Sequence, residues 1–160
     1  MTVSRTRDVL GLLAFVTLCF GVSLLGGRAA AAALPGWYLA LAKPSWTPPA
    51  WVFGPVWTLL YALVAVAGWL GWREGRARLG PSVYLLQLAL NAAWPWLFFH
   101  GGRVGLALAC IVLLWIAILA TVLAFWRVSR TAAVLLLPYL AWVGFAAALN
   151  HAVWRLNPSS

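Results

Sequence analysis

Five stretches of this chain run for roughly 18 to 23 residues without a single Asp, Glu, Lys or Arg: 9–27, 50–72, 82–99, 104–126 and 132–154. At ~1.5 Å per helical residue, each is long enough to cross a ~30 Å hydrocarbon core. A helix satisfies its own backbone amides in lipid, whereas an open strand or loop does not. The chain is therefore expected to be an all-α membrane protein, one domain over residues 1–160 built as a bundle of five transmembrane helices. Composition agrees, with 65% hydrophobic and 8% charged residues, against ~25% charged in an average soluble domain.

An odd number of spans puts the two termini on opposite sides. The side of the N-terminus collects Arg5, Arg7, Arg73, Arg76, Arg78, Arg127 and Arg130; the other collects Arg28, Lys43, Arg103 and Arg155. Seven against four predicts a cytoplasmic N-terminus by the positive-inside rule. The net charge of +9 is spread over these flanks rather than gathered on a soluble face, which points to headgroups and not to nucleic acid. The first run, with Arg5 and Arg7 before it and Ala29–Ala33 after it, also has the outline of a cleaved signal peptide. Its apolar length exceeds a usual signal core, so it is read as helix 1, with Ala14, Thr17, Gly21 and Leu24 as a close-contact face.

What is missing excludes several functions. Asp8 and Glu74 lie at helix ends, and no charged residue falls mid-membrane. Proton-coupled exporters and cation channels ordinarily need one there, and general acid–base catalysis has no carboxylate pair to use. Cys19 and Cys110 sit inside apolar runs, and no Cys or His falls at metal-ligand spacing.

The connection 28–49 is the longest, and its end is unlike the rest of the chain. Residues 43–57, KPSWTPPAWVFGPVW, hold four prolines, three tryptophans and one lysine. That composition predicts a stiff aromatic cap that opens helix 2 at a membrane surface. Of twelve tryptophans, Trp37, Trp46, Trp72, Trp126 and Trp154 fit an interfacial belt. Trp57, Trp94 and Trp142 lie deeper, as core or as ligand wall. Tyr84, Gln87, Asn91, Trp94 and Phe98 form one stripe of helix 3. Asn91, an amide in mid-membrane, requires either a neighbouring helix or a ligand. Trp142, Ala146 and Leu149–Asn150 make a stripe on helix 5 with a small residue between large ones. His100 and His151 read as interfacial side chains.

These residues carry a resemblance. Gly36-Trp37-Tyr38 with the cap 43–57, Asn91-Ala92-Ala93-Trp94-Pro95 with Phe98-Phe99, and Pro138-Tyr139-Leu140-Ala141-Trp142 with Leu149-Asn150 and Trp154-Arg155 resemble the tryptophan-rich sensory protein family, TspO/MBR. That family includes the mitochondrial translocator protein, also called the peripheral benzodiazepine receptor. The resemblance spans nearly the whole chain in order. It implies a five-helix bundle, a homodimer, and a pocket beneath the first loop for porphyrins and for isoquinoline or benzodiazepine-type ligands. Trp51, Asn91, Trp94, Trp142, Ala146 and Leu149 would line it, with Trp37 and Tyr38 in the covering loop. It implies a sensory, regulatory or transport role, with no cofactor required and a protoporphyrin-like tetrapyrrole as ligand. The alternatives are light-dependent porphyrin breakdown, with Trp51 and Trp142 as candidate redox partners, and a lipid- or sterol-binding regulator. The sterol pattern of the animal proteins departs here at His151, where a tyrosine would stand. The short tail suggests a bacterial membrane. Lys43 and Arg28 are the candidate cations for porphyrin propionates. Trp51 and Trp57 lie about 240° apart around an ideal helix, so Trp51 is expected to serve the ligand and Trp57 the packing.

Overall fold

A computed structural model describes residues 2–33, 36–74, 80–100 and 102–158. Its helices are α1 (Thr2–Ala33), α2 (Trp37–Ala40), α3 (Ala50–Glu74), α4 (Gly80–Pro95, continued by a π-helical turn, Trp96–His100), α5 (Val104–Trp126), α6 (Arg130–Leu135) and α7 (Leu137–Leu156). Five spans long and apolar enough to cross a membrane result: Arg5–Ala33, Ala50–Glu74, Gly80–His100, Val104–Trp126 and Arg130–Leu156.

Helix bounds depart from expectation where local chemistry intervenes. The first helix does not stop at 27 but continues through the alanines to Ala33, because alanine is the strongest helix former. The long connection shortens accordingly and carries the single turn α2. The third span ends in a π turn after Pro95. Proline has no N–H for the carbonyl one turn back, and the widened turn turns Phe98 inward while leaving Trp96 exposed. The Arg103 amide closes this end on the Leu97 carbonyl at 3.0 Å, helped by Gly102, whose φ of 57° is left-handed. The last span is two helices. Ser129 caps α6 by accepting from the Ala132 amide, and Pro138 opens α7 after a break at Leu136.

α1 packs on α3 and α4, α5 on α4 and α7, and α6 on α3 and α5. α1 is the least buried span. Within the chain, its expected contact face is not the one used. Ala14, Thr17 and Leu24 are exposed and nothing approaches Gly21. Phe15, Cys19, Gly26, Ala29 and Ala33 face the bundle instead; a Cβ on Gly26 would stand 3.1 Å from the Pro95 ring. A helix with small residues on two faces leaves the choice to its neighbours.

Two apolar clusters fill the bundle. The larger, from Cys19, Leu60, Val64, Tyr84, Ile118, Phe125 and Tyr139 among others, occupies the middle and the end near Asp8. The smaller, Phe98, Val104, Ala107, Leu149 and Val153, lies at the end of the first loop. Trp46, Trp72, Trp126 and Trp154 are exposed near span ends, as a membrane belt requires. Trp37 is not part of that belt. It packs inward on the smaller cluster.

Candidate functional site

The stripe predicted on the third span is buried as a unit: Tyr84, Gln87, Asn91 and Phe98 are all inside, with Trp94 half-buried beside them. A chain of hydrogen bonds grows from it. The Tyr61 hydroxyl of α3 donates to Asn91 Oδ1 at 2.6 Å. Asn91 Nδ2 donates to the Tyr139 hydroxyl of α7, which in turn donates to Gln87 Oε1 at 2.8 Å. Both polar atoms of Asn91 are thus bonded to neighbouring helices. Tyr139's single proton goes to Gln87 oxygen, and Gln87 Nε2 finds no acceptor among the described residues although the side chain is fully buried.

One turn towards the loop, Trp94 Nε1 donates to Asn150 Oδ1 at 3.0 Å, and Asn150 Nδ2 donates to the Val104 carbonyl at 3.0 Å. This pins α4, α5 and α7 together. Trp94 stacks on Phe98 with ring centroids 5.5 Å apart. Over this stack lies α2: Trp37 meets Phe98 edge-on at 5.8 Å and Tyr38 meets Phe99 at 5.5 Å. A second aromatic group forms beside it. Trp142 contacts Phe53 of α3 at 6.0 Å and Phe145 at 5.4 Å, and Trp46 of the cap reaches Phe145 at 5.7 Å. Trp142 Nε1 is buried and has no partner among the described residues.

Of the residues picked from the sequence, Trp37, Tyr38, Trp94 and Leu149 gather in the loop-end cluster. Trp142 and Ala146 belong to the adjoining wall, and Asn91 lies below them, held by the two tyrosines. Trp51 stands apart. It is 76% exposed on the first turn of α3. Trp57 packs against Tyr61 at 5.7 Å and Tyr139 at 6.4 Å, so the two indoles do serve different surfaces. Tyr61, Tyr139 and Asn150 were not among the site candidates. The signal for the tyrosines was their depth: a mid-membrane hydroxyl needs a polar partner as much as an amide does.

Lys43 does not present a free cation. Its ammonium donates to the carbonyls of Tyr38 at 2.7 Å, Leu41 at 2.8 Å and Leu39 at 3.4 Å, and lies 4.8 Å from the Tyr38 ring centre. All three N–H bonds are spent closing the C-terminus of α2, where carbonyls lack helical partners. Burial raises the Tyr38 phenol above its ordinary pKa, so the ring stays neutral beneath that cation. The loop is also held from the far end of the chain. Asn157 accepts from the Ala42 amide at 3.1 Å and donates to the Ala42 carbonyl at 2.9 Å. Arg28 is exposed.

These contacts make the loop a fastened cover. Replacing Lys43 by methionine removes three charge-assisted bonds. Amide exchange across residues 36–45 is expected to rise about tenfold, corresponding to ~1.5 kcal/mol, with the other spans unchanged. Equal exchange in both proteins would show that the loop is held by its aromatic contacts alone.

The profile of the TspO/MBR family matches residues 15–155, which takes in the whole of this aromatic end. The tryptophan-rich protein TspO of Chlorobaculum tepidum is 41% identical over 157 residues, covering 95% of this chain and 99% of its own. The human translocator protein is 46% identical over 126 residues, covering 76% of this chain and 75% of its own. The tryptophan-rich protein TspO of Archaeoglobus fulgidus is 37% identical over 155 residues, 94% of this chain and 99% of its own. By fold, by aromatic end and by sequence, the chain belongs to the TspO/MBR family.

Proposed function

We propose that this membrane protein binds a flat tetrapyrrole, or a planar aromatic compound of similar polarity, at its loop end beneath α2. The observation that carries the reading is the Trp142 indole N–H, buried and without an acceptor among the described residues. Buried indoles ordinarily find a partner. A carbonyl, carboxylate or pyrrole nitrogen of a bound molecule would supply one, while Phe53 and Phe145 flank the ring. Trp51, with its ring uncommitted, offers a stacking face at the same end. Since Lys43 is spent on its own loop, propionates would look to the exposed Arg28, Arg103 or Arg155 of the same side. Binding of this kind suits a sensory, regulatory or transport role, with the N-terminus in the cytoplasm of a bacterial cell and the chain paired as a homodimer. The name translocator protein, carried by the human relative, speaks of moving a cargo and is in keeping with that role.

The test is a titration of the purified protein with protoporphyrin in the dark. Saturable quenching of tryptophan fluorescence is expected. Trp142→Phe keeps a ring and removes the donor, and should weaken binding about five- to tenfold, the ~1–1.5 kcal/mol of one net hydrogen bond. Unchanged affinity in that variant would remove the indole from the site. No saturable quenching by the unaltered protein would sink the tetrapyrrole reading altogether. Illumination adds a second readout: a new absorbing product, lost in the Trp51→Phe, Trp142→Phe double variant, would make the protein a light-dependent porphyrin-degrading enzyme.

A further inference from the structure

The opposite end of the bundle, near Asp8, holds a cleft of about 440 Å³ that the tetrapyrrole reading does not use. Its size falls within the range of small-molecule sites. Its walls come from α1 (Arg7, Phe15, Leu18), α3 (Gly68, Gly71, Trp72) and α4 (Tyr84, Leu85), with Phe125 of α5 behind them. Leu18 and Leu85 are exposed on the bundle surface, so the cleft opens sideways, towards lipid. The two glycines form its recess. A Cβ at Gly68 would collide with Cζ and the hydroxyl of Tyr84, and one at Gly71 would lie 2.7 Å from the Phe125 ring.

Charge is arranged at one end of this cleft only. The Arg7 guanidinium lies 5.1 Å from the Trp72 ring centre and has no carboxylate partner among the described residues. Asp8, the acid nearest to it, is paired with Arg73 at 3.4 Å, and its carbonyl accepts from Trp69 Nε1 at 2.9 Å. Glu74, the chain's other acid, is exposed on the last turn of α3, while Arg5, Arg127 and Arg130 add cations to the same end. From Arg7 to Leu18 is eleven helical residues, about 16 Å at 1.5 Å per residue. That is about half of a ~30 Å hydrocarbon core.

We propose that this cleft binds an anionic phospholipid from the leaflet at that end, its phosphate on Arg7 and one acyl chain in the aromatic groove. A cation beside an interfacial tryptophan, an apolar slot one leaflet deep and a lateral opening together fit that molecule. A flat rigid tetrapyrrole fits the loop end better. Basic recesses between spans recognise acidic headgroups in this way.

The experiment is native mass spectrometry of the whole protein incubated with equal amounts of phosphatidylglycerol and phosphatidylcholine of the same chain length. The unaltered protein is expected to retain phosphatidylglycerol preferentially. Arg7→Gln should retain it about fivefold less. Arg5→Gln, which alters a neighbouring cation outside the cleft, should behave like the unaltered protein. Leu85→Trp, which narrows the groove from the lipid side, should release phosphatidylglycerol even with Arg7 intact. Equal retention of the two lipids overturns the proposal. So does an equal loss in Arg5→Gln and Arg7→Gln, which would mark a general surface attraction. A lipid-free dimer that Leu85→Trp dissociates would assign the groove to a second copy of the chain. Protoporphyrin quenching measured on Arg7→Gln should match the unaltered protein, so this proposal and the tetrapyrrole reading fail separately.

Discussion

Asn91→Leu is expected to lower the stability of the bundle by about 2–4 kcal/mol and to weaken the loop-end site at the same time. The substitution changes little in volume, so cavity formation is a minor part of the cost. The main cost is polar. Tyr61 would keep a hydroxyl proton without its acceptor, and Tyr139 would lose the donor that orients it towards Gln87. Each buried group left without its partner costs ~1–3 kcal/mol, offset in part because an unfolded span in lipid also finds partners. The chain links α3, α4 and α7, so the loss should be shared by three helices. Thermal unfolding in detergent would register it as a fall of roughly 4–16 °C, using ~2–4 °C per kcal/mol for a chain of this size. Asn91→Asp offers the contrast: kept neutral by burial, it retains the acceptor for Tyr61 and should recover part of the loss. A melting temperature unchanged in Asn91→Leu would mean that the tyrosines find other partners and that the chain of bonds is not structural.

Gly68→Ala should cost about 2–3 kcal/mol, the upper part of the range for overpacking, although alanine is the better helix former by ~1 kcal/mol. Sterics outweigh propensity because the colliding ring cannot move aside cheaply. The new methyl would fall within 2.8 Å of Phe15 and still closer to Tyr84. The Tyr84 hydroxyl donates to the Val64 carbonyl at 2.9 Å and lies 3.3 Å from Cys19 Sγ. Its ring is stacked on Phe125 at 6.1 Å and edge-on to Phe15 at 5.6 Å. Displacing it disturbs α1, α3, α4 and α5 together. Gly54→Ala is the internal control: it lies on the same helix, and nothing stands within 4 Å of its Cβ position. It should be neutral or slightly stabilising. If both alanines behave alike, the close approach of Tyr84 to α3 is not a constraint.

The five spans could be read from the sequence because lipid imposes one rule on every residue of a span, and length with charge is enough to apply it. The stripe Tyr84–Gln87–Asn91–Trp94–Phe98 was legible for a related reason: polar and aromatic groups at helical spacing must share a buried face. What those groups touch was not legible. Asn91 meets a hydroxyl 48 residues away and Trp94 an amide 56 residues away, and no local pattern reports such distances. Which face of α1 packs inside the chain was not legible because Ala14 and Gly21 are as small as Gly26, Ala29 and Ala33; Pro95 and Trp72 decide between them, and both are tertiary neighbours. Lys43 looked like a rim cation because its charge is visible in the sequence. The three carbonyls it satisfies become acceptors only after α2 forms.

The bond pair between Ala42 and Asn157 has a consequence for biosynthesis. Its two halves are separated by 115 residues. At ~5–20 residues per second, the ribosome needs roughly 6–23 s to reach Asn157 after it has released Ala42. Throughout that interval the first loop is already outside the bundle's interior with its latch unmade, and the last helix has yet to arrive. The cover can therefore be fastened only after translation of the final helix, and a molecule destined for the loop end meets an open vestibule for as long as the chain is being made. A fusion joined close behind residue 157 would hold that same latch under strain in the finished protein, so a tag placed there should make ligand exchange faster, while one at the other terminus should leave it alone.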